Sequence, residues 1–234
     1  MATKIITFEA GNFARIGARL AAAGVDIARA QSRVINKVAE RTATRAKREI
    51  VTQVNLKASY VAERLHVTKA TPERPAAIIK ARVRHTTLST YGAKQITRAA
   101  KGAKGDLFRG IPAGRKQGGI SVSISAGGNR KIMRGAFLIP LRAGKVEGGN
   151  GMGIFIRVGS ARNQRDLVAQ EIYTSKGSRH PGRVESGDVR HLYGPSVDQV
   201  FRGVVTKIIP DVHAELAAEM ERFARYEIDK ALNK

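Results

Sequence analysis

An α+β fold is predicted by three features of the sequence. Apolar residues recur at helical spacing at both ends of the chain, and a middle stretch alternates apolar and polar residues between glycine-rich turns. The apolar fraction of 42% is built almost without rings, aromatics being 5% and Trp absent, so small aliphatic side chains must fill the core. The expectation is a long N-terminal helix, a small, mostly antiparallel sheet of about four strands, and a C-terminal helical pair, joined by long basic loops. A length of 234 residues suits one domain, 1–234, with room for insertions.

The first helix is read from Asn12 onward, with Phe13, Ile16 and Leu20 at helical spacing, an interruption near Gly24, and resumption through Ile27 to Ile50. At 100° per residue, Val34, Val38, Ala39, Thr42, Ala46 and Ile50 share one face, while Arg33, Lys37, Arg41 and Arg45 form a basic ridge beside it that Arg48 closes. Asn55 is placed to cap a second helix carrying Leu56, Tyr60, Val61 and Leu65, which Pro72 and Pro75 end. Residues 77–84 alternate as a half-exposed strand with Lys80, Arg82 and Arg84 aligned outward.

Residues 92–119 carry Lys94, Arg98, Lys101, Lys104, Arg109, Arg115 and Lys116 among glycines without a sustained period, and read as a mobile basic arm. A meander follows: 120–124, a turn at Gly127, Gly128 and Asn129, then 136–140 and 153–158 joined by a hairpin at 148–151. Residues 160–190 read as a second long loop. Ser196 suits the cap of a helix whose Val197, Val200, Phe201, Val204, Val205 and Ile208 face a core. Pro210 is expected to stop or kink it before a second piece with Leu216, Met220 and Phe223 inward and Glu215, Glu219 and Glu221 mostly outward.

Forty-two Lys and Arg against nineteen Asp and Glu leave a formal charge of +23. The excess is uneven, at nineteen basic to four acidic residues over 51–150 but four to six over 211–234. Self-repulsion of this size opposes compaction, and a polyanion would relieve it through counterion release, so nucleic acid or an acidic protein surface is the expected partner. The ridge favours contact over simple solvation because the positions four residues away along its own helix are largely Thr and Ala instead of Glu. Phosphates, not bases, would be touched, since no helix-turn-helix, zinc-finger or aromatic ribonucleoprotein pattern is present.

Enzyme chemistry finds little purchase. The absence of cysteine excludes thiolate zinc sites, iron–sulfur ligation and a cysteine nucleophile. His66, His85, His180, His191 and His213 are scattered, Gly148 to Gly153 lead into a strand instead of a helix, and no nucleophile elbow surrounds Ser186 or Ser196. Glu63, Glu73, Asp106 and Glu147 are too few to build a two-metal nuclease in the basic middle. No cofactor, secretory leader or membrane span is expected.

The order of these pieces resembles the minor tail protein Z family of tailed phages, also called tail completion protein. The resemblance rests on Val34, Ile35, Asn36, Lys37, Val38 and Ala39 in a long basic helix, the 56–65 segment, the strand rich in Lys and Arg, and Gly135, Ala136 and Phe137. It continues with His191 to Gly194, then Pro195, Ser196 and Val197 before the terminal helices, and spans roughly 27–232. It implies a non-enzymatic virion protein at the head-proximal end of a long tail, assembled in the host cytoplasm as a ring, expected to be a hexamer, with the tail tube, neck connector proteins and the genomic DNA end as partners. The ridge, the strand cations and the arm are the candidate DNA- or partner-facing residues, whereas Gly135, Ala136, Phe137 and Gly194 to Val197 are assigned to the fold, Phe137 to the core. The alternative is a free, sequence-independent nucleic-acid-binding protein.

Overall fold

The computed structural model describes residues 6–8, 21, 26–141, 151–157, 170–173 and 189–232. These group into two compact units, one comprising 1–50, 61–83 and 197–234 and the other 51–60 and 84–196.

In the first unit, helix α1 (Ile27–Gln53) begins where Asp26 accepts the amide of Arg29 on its Oδ1 at 3.1 Å, an N-terminal cap. The expected start near Asn12 lies outside the described residues. Val34, Val38, Ala39, Thr42, Ala46 and Ile50 are all buried, as their shared face requires. Asn36 pins the segment at Ala70 to α1: its Nδ2 donates to the Ala70 carbonyl at 2.9 Å and its Oδ1 accepts the Ala70 amide at 2.6 Å. Helix α2 is shorter than the sequence suggests, Ala58–Ala62, because Leu65 opens strand β2 (Leu65–Thr68) instead of extending it. Asn55 does not cap α2 through its amide group, which donates to the Ser123 carbonyl at 3.1 Å.

Strands β1 (Ile6–Phe8), β2 and β3 (Ala77–Ala81) form an antiparallel sheet in the order β1-β3-β2. Only Lys80 of the expected outward row is on β3. Arg82 and Arg84 lie beyond its end, the Arg82 amide donating to the Arg64 carbonyl at 2.9 Å.

Helix α3 (Val197–Leu232) corrects the expected helical pair: it is one helix of 36 residues that continues through Pro210. The buried stripe of Val197, Phe201, Val204, Val205, Ile208, Val212, Leu216, Met220 and Ala224 keeps its phase across the proline, which is itself exposed. Burial on both sides therefore outweighs the one lost hydrogen bond and the ring's clash with the preceding turn. Pro210→Ala, which restores a donor to the Thr206 carbonyl, is expected to stabilise the protein by about 1 kcal/mol. Thermal denaturation should show the gain, and a loss would mean the proline's shape is needed.

In the second unit, 92–119 is not a structureless arm. Strand β5 (Lys94–Ala99) pairs antiparallel with β6 (Arg115–Val122), which pairs with β7 (Lys131–Met133). The turn between β5 and β6 is closed by backbone bonds such as Ala100 N–H to Gly114 O at 2.9 Å and Asp106 N–H to Ile111 O at 2.6 Å. The expected 120–124 strand is thus the end of β6, and the meander is divided between two sheets. The other sheet has the order β10-β11-β9-β8, from β8 (Ala136–Pro140), β9 (Met152–Arg157), β10 (Gln170–Tyr173) and β11 (Val189–Gly194), with β4 (Thr86–Thr87) on β11. Strand β10 falls inside what the sequence suggests is a loop over 160–190; the rest of that stretch through 188, and most of the expected hairpin at 148–151, lie outside the described residues.

Candidate functional site

The basic ridge of α1 meets a row of acids on α3. Arg45 Nη2 lies 2.5 Å from Asp211 Oδ2, Arg41 Nη1 donates to Glu215 Oε1 at 3.2 Å and Glu219 Oε1 at 2.7 Å, and Lys37 Nζ donates to Glu219 Oε2 at 2.9 Å. Each four-residue step back along α1 matches a four-residue step forward along α3, so the helices run antiparallel with one rung per turn. Glu219 is the hub. It is only 8% exposed, it also takes Arg222 Nη2 at 2.7 and 2.8 Å, and its cationic donors, Lys37 first, hold its carboxyl below the usual glutamate range against the opposing effect of burial. The same acids raise the Arg41 guanidinium further, Glu219 most.

The inference that the ridge lacks compensating acids therefore fails, because the acids arrive from a segment more than 160 residues away. Its signal was legible as Asp211, Glu215 and Glu219 at intervals of four, the spacing of Lys37, Arg41 and Arg45. Arg33 and Arg48 remain exposed with no ion pair among the described residues. One turn back along α1 from Lys37, Arg33 lines a hollow with Glu219, Phe223 and Tyr226 but makes no ion pair among the described residues.

The other candidate cations divide between exposed groups and groups held against their own unit. Lys80, Arg84, Lys101, Lys104 and Lys116 are exposed, as is Arg82. Arg109 Nε lies 3.4 Å from Asp106 Oδ2, and Arg115 bonds the Thr97 hydroxyl at 2.6 Å and carbonyl at 3.0 Å, which holds it along β5.

Where the two sheets of the second unit approach, Gln117 Nε2 donates to the Ala136 carbonyl at 2.6 Å. Beside this bond is a cleft of ≈ 570 Å³ lined by Arg98, Arg109, Arg134 and Arg157, with Gly118, Gly119 and Phe137 also in the lining. Gly135, with φ +83°, is at the turn between β7 and β8 and takes a left-handed conformation open to glycine. Ala136 is fully buried, but Phe137 is half-buried, facing Phe155 at 6.5 Å with the Arg157 guanidinium 5.6 Å above its ring. Arg157 escapes a reading of the sequence because it is a single cation ending an apolar strand, and Arg134 because it stands in a turn whose neighbours Arg130 and Lys131 give it no distinguishing pattern.

At the end of β11, Gly194 lies flat against the fully buried ring of Tyr91, whose hydroxyl donates to the Pro195 carbonyl. Burial pushes the Tyr91 phenol well above its usual range. Ser196 and Val197 are buried where α3 begins.

A family model described as prophage minor tail protein Z matches residues 20–234. The chain belongs to the prophage minor tail protein Z family. It is accordingly a structural protein of a phage tail, a virion component that associates with other tail proteins. No curated protein and no solved structure matches it. Among the described residues, no helix is long and apolar enough to cross a membrane, and no group of three or more His, Cys, Asp or Glu residues is placed to hold a metal ion.

Proposed function

We propose that the protein forms a ring, expected to be a hexamer, at the head-proximal end of the tail tube and acts without catalysis in tail completion or termination and in joining heads to tails. Its partners in this reading are its own copies, the tail tube protein, the neck connector proteins and the end of the genomic DNA. Family membership supplies the tail, and the observation that carries the rest is the outward cationic surplus. Even with the α1 ridge joined to α3, Lys80, Lys101, Lys104, Lys116, Arg33 and Arg48 stay exposed without an ion pair among the described residues. An assembly can supply the anionic surfaces that an isolated subunit lacks.

The test is the protein's presence in purified particles and its multimerisation without nucleic acid. A monomer absent from particles would favour the free nucleic-acid-binding alternative instead. Reversing all of Arg33, Lys37, Arg41 and Arg45 to Glu would set like charges against Asp211, Glu215 and Glu219, so this change cannot separate folding from joining. The variant that can is Arg33→Glu with Arg48→Glu. It is expected to fold normally and to give particles defective in head joining, and normal infectivity would count against a contact role for the ridge.

A further inference from the structure

We propose that the arginine cleft of the second unit is a binding site for the phosphate groups of a nucleic-acid backbone, read without regard to base sequence. Three observations converge on it. The cleft lining contains four arginines and no carboxylate. Of these, Arg98 and Arg134 are exposed and carry no ion pair among the described residues. Arg157 is held over the face of Phe137 by a cation–π contact, and its guanidinium is a planar fork of donors suited to a phosphate.

The floor is bare backbone. Ile96 stands opposite Gly119 and Thr97 opposite Gln117, so Gly118 has no partner across the ladder, and this β-bulge places two adjacent positions without side chains in the cleft lining. The side-chain positions these glycines leave empty are taken up by the Met133 carbonyl and by Ile96, so the bulge draws β5, β6 and β7 close together, and guanidinium groups line the cleft from β5, the β7–β8 turn and β9.

The chemistry of the ligand follows from the charge inventory. A second copy of this chain is a poor source of anions, because four of the six acids in its one net-acidic stretch, Asp211, Glu215, Glu219 and Glu221, are already ion-paired, which leaves only Glu227 and Asp229 against a formal charge of +23. Exposed cations without an ion pair among the described residues also extend beyond the cleft along the same unit, at Lys94, Lys101, Lys104 and Lys116. That spread matches a continuous line of phosphates better than a local acidic patch on a protein.

The inference depends on the proposed tail role only for the source of the nucleic acid, since binding is measured on the purified full-length chain whatever its place in a particle. A fluorescent DNA duplex of arbitrary sequence is titrated at several salt concentrations against wild type, Arg98→Gln with Arg134→Gln, and Arg33→Gln with Arg48→Gln. The cleft variant should bind more weakly at every salt concentration, with the slope of log K against log salt shallower by about 0.9 per arginine that touches a phosphate, and equally for unrelated sequences. The helix variant should change the slope less.

Wild-type slope and affinity in the cleft variant would overturn the proposal. So would preferential capture of poly-glutamate over the duplex at equal charge, which would assign the cleft to an acidic protein. Both cleft side chains are exposed, so a melting temperature matching wild type is expected and verifies that the fold is intact. Failure to bind DNA alongside normal incorporation into particles would reject this site and leave the tail role standing.

Discussion

Gly194→Ala is expected to cost about 3 kcal/mol, the upper part of the range for overpacking a filled core. A Cβ on residue 194 would stand 3.0 Å from Tyr91 Cδ2 and Cζ and still closer to Cε2, and the ring has nowhere to retreat. Tyr91 is fully buried, and its hydroxyl is tied to the carbonyl of Pro195, the residue directly after the glycine. The collision is between a backbone and a ring fastened to that same backbone, so relief requires parting β11 from Tyr91. For a chain of this size the loss corresponds to a fall of about 6–12 °C in Tm. The mechanism is checked with a double-mutant cycle. In a Tyr91→Ala background, already destabilised by its own cavity, Gly194→Ala should cost little, giving a coupling of about 1.5 kcal/mol or more. Additive losses would show that the glycine is needed for its backbone and not for the ring. Tyr91→Phe keeps the ring and removes only the hydroxyl's bond, so it should cost about 1 kcal/mol.

The parts of the fold legible in the sequence are those in which one face of an element is buried. The α1 seam is explicit because six positions at helical spacing all turn inward, and the α3 stripe is explicit for the same reason. Strand β5 shows the converse. It is an edge strand with no fully buried residue, held by backbone pairing to β6, and its exposed Lys94 and Arg98 protect an edge from unwanted pairing while resembling a loop in composition. Pro210 misleads because local propensity is read before tertiary burial is known. The cleft is the least visible feature, since its arginines come from positions 98 to 157 and only the junction of two sheets gathers them.

The two basic surfaces differ in how their charges are answered. Along α1, cations recur every fourth residue and find acids recurring every fourth residue on α3, so Lys37, Arg41 and Arg45 serve the fold. In the second unit the arginines of the cleft are spaced by topology instead of by helical period, and two of them have no acid beside them. A regular stripe of charge is therefore weaker evidence of an external ligand in this chain than the irregular cluster, in which Arg109 has Asp106 beside it but Arg98 and Arg134 make no ion pair among the described residues.

Glu219→Gln should remove the hub of the α1–α3 ladder at a cost of about 2 kcal/mol, the scale of hydrogen bonds to charged groups. The side chain is buried while its partners Lys37, Arg41 and Arg222 keep contact with water, so the cations can rehydrate and the loss stays below that of a fully enclosed ion pair. The pH dependence identifies the cause. The Glu219 carboxyl is held lower in the folded protein than its ordinary value, so the unfolded chain takes up that proton first as pH falls. The stabilisation is complete above the ordinary glutamate value of about 4.3 and is lost as pH drops through the lower folded value. Glutamine does not titrate, so the stability gap between wild type and variant should be constant near neutrality and close in acid, even though other carboxylates titrate in both proteins. Denaturant titrations across that range measure the gap directly. A difference that persisted unchanged below about pH 3 would mean that Glu219 contributes shape and packing instead of charge.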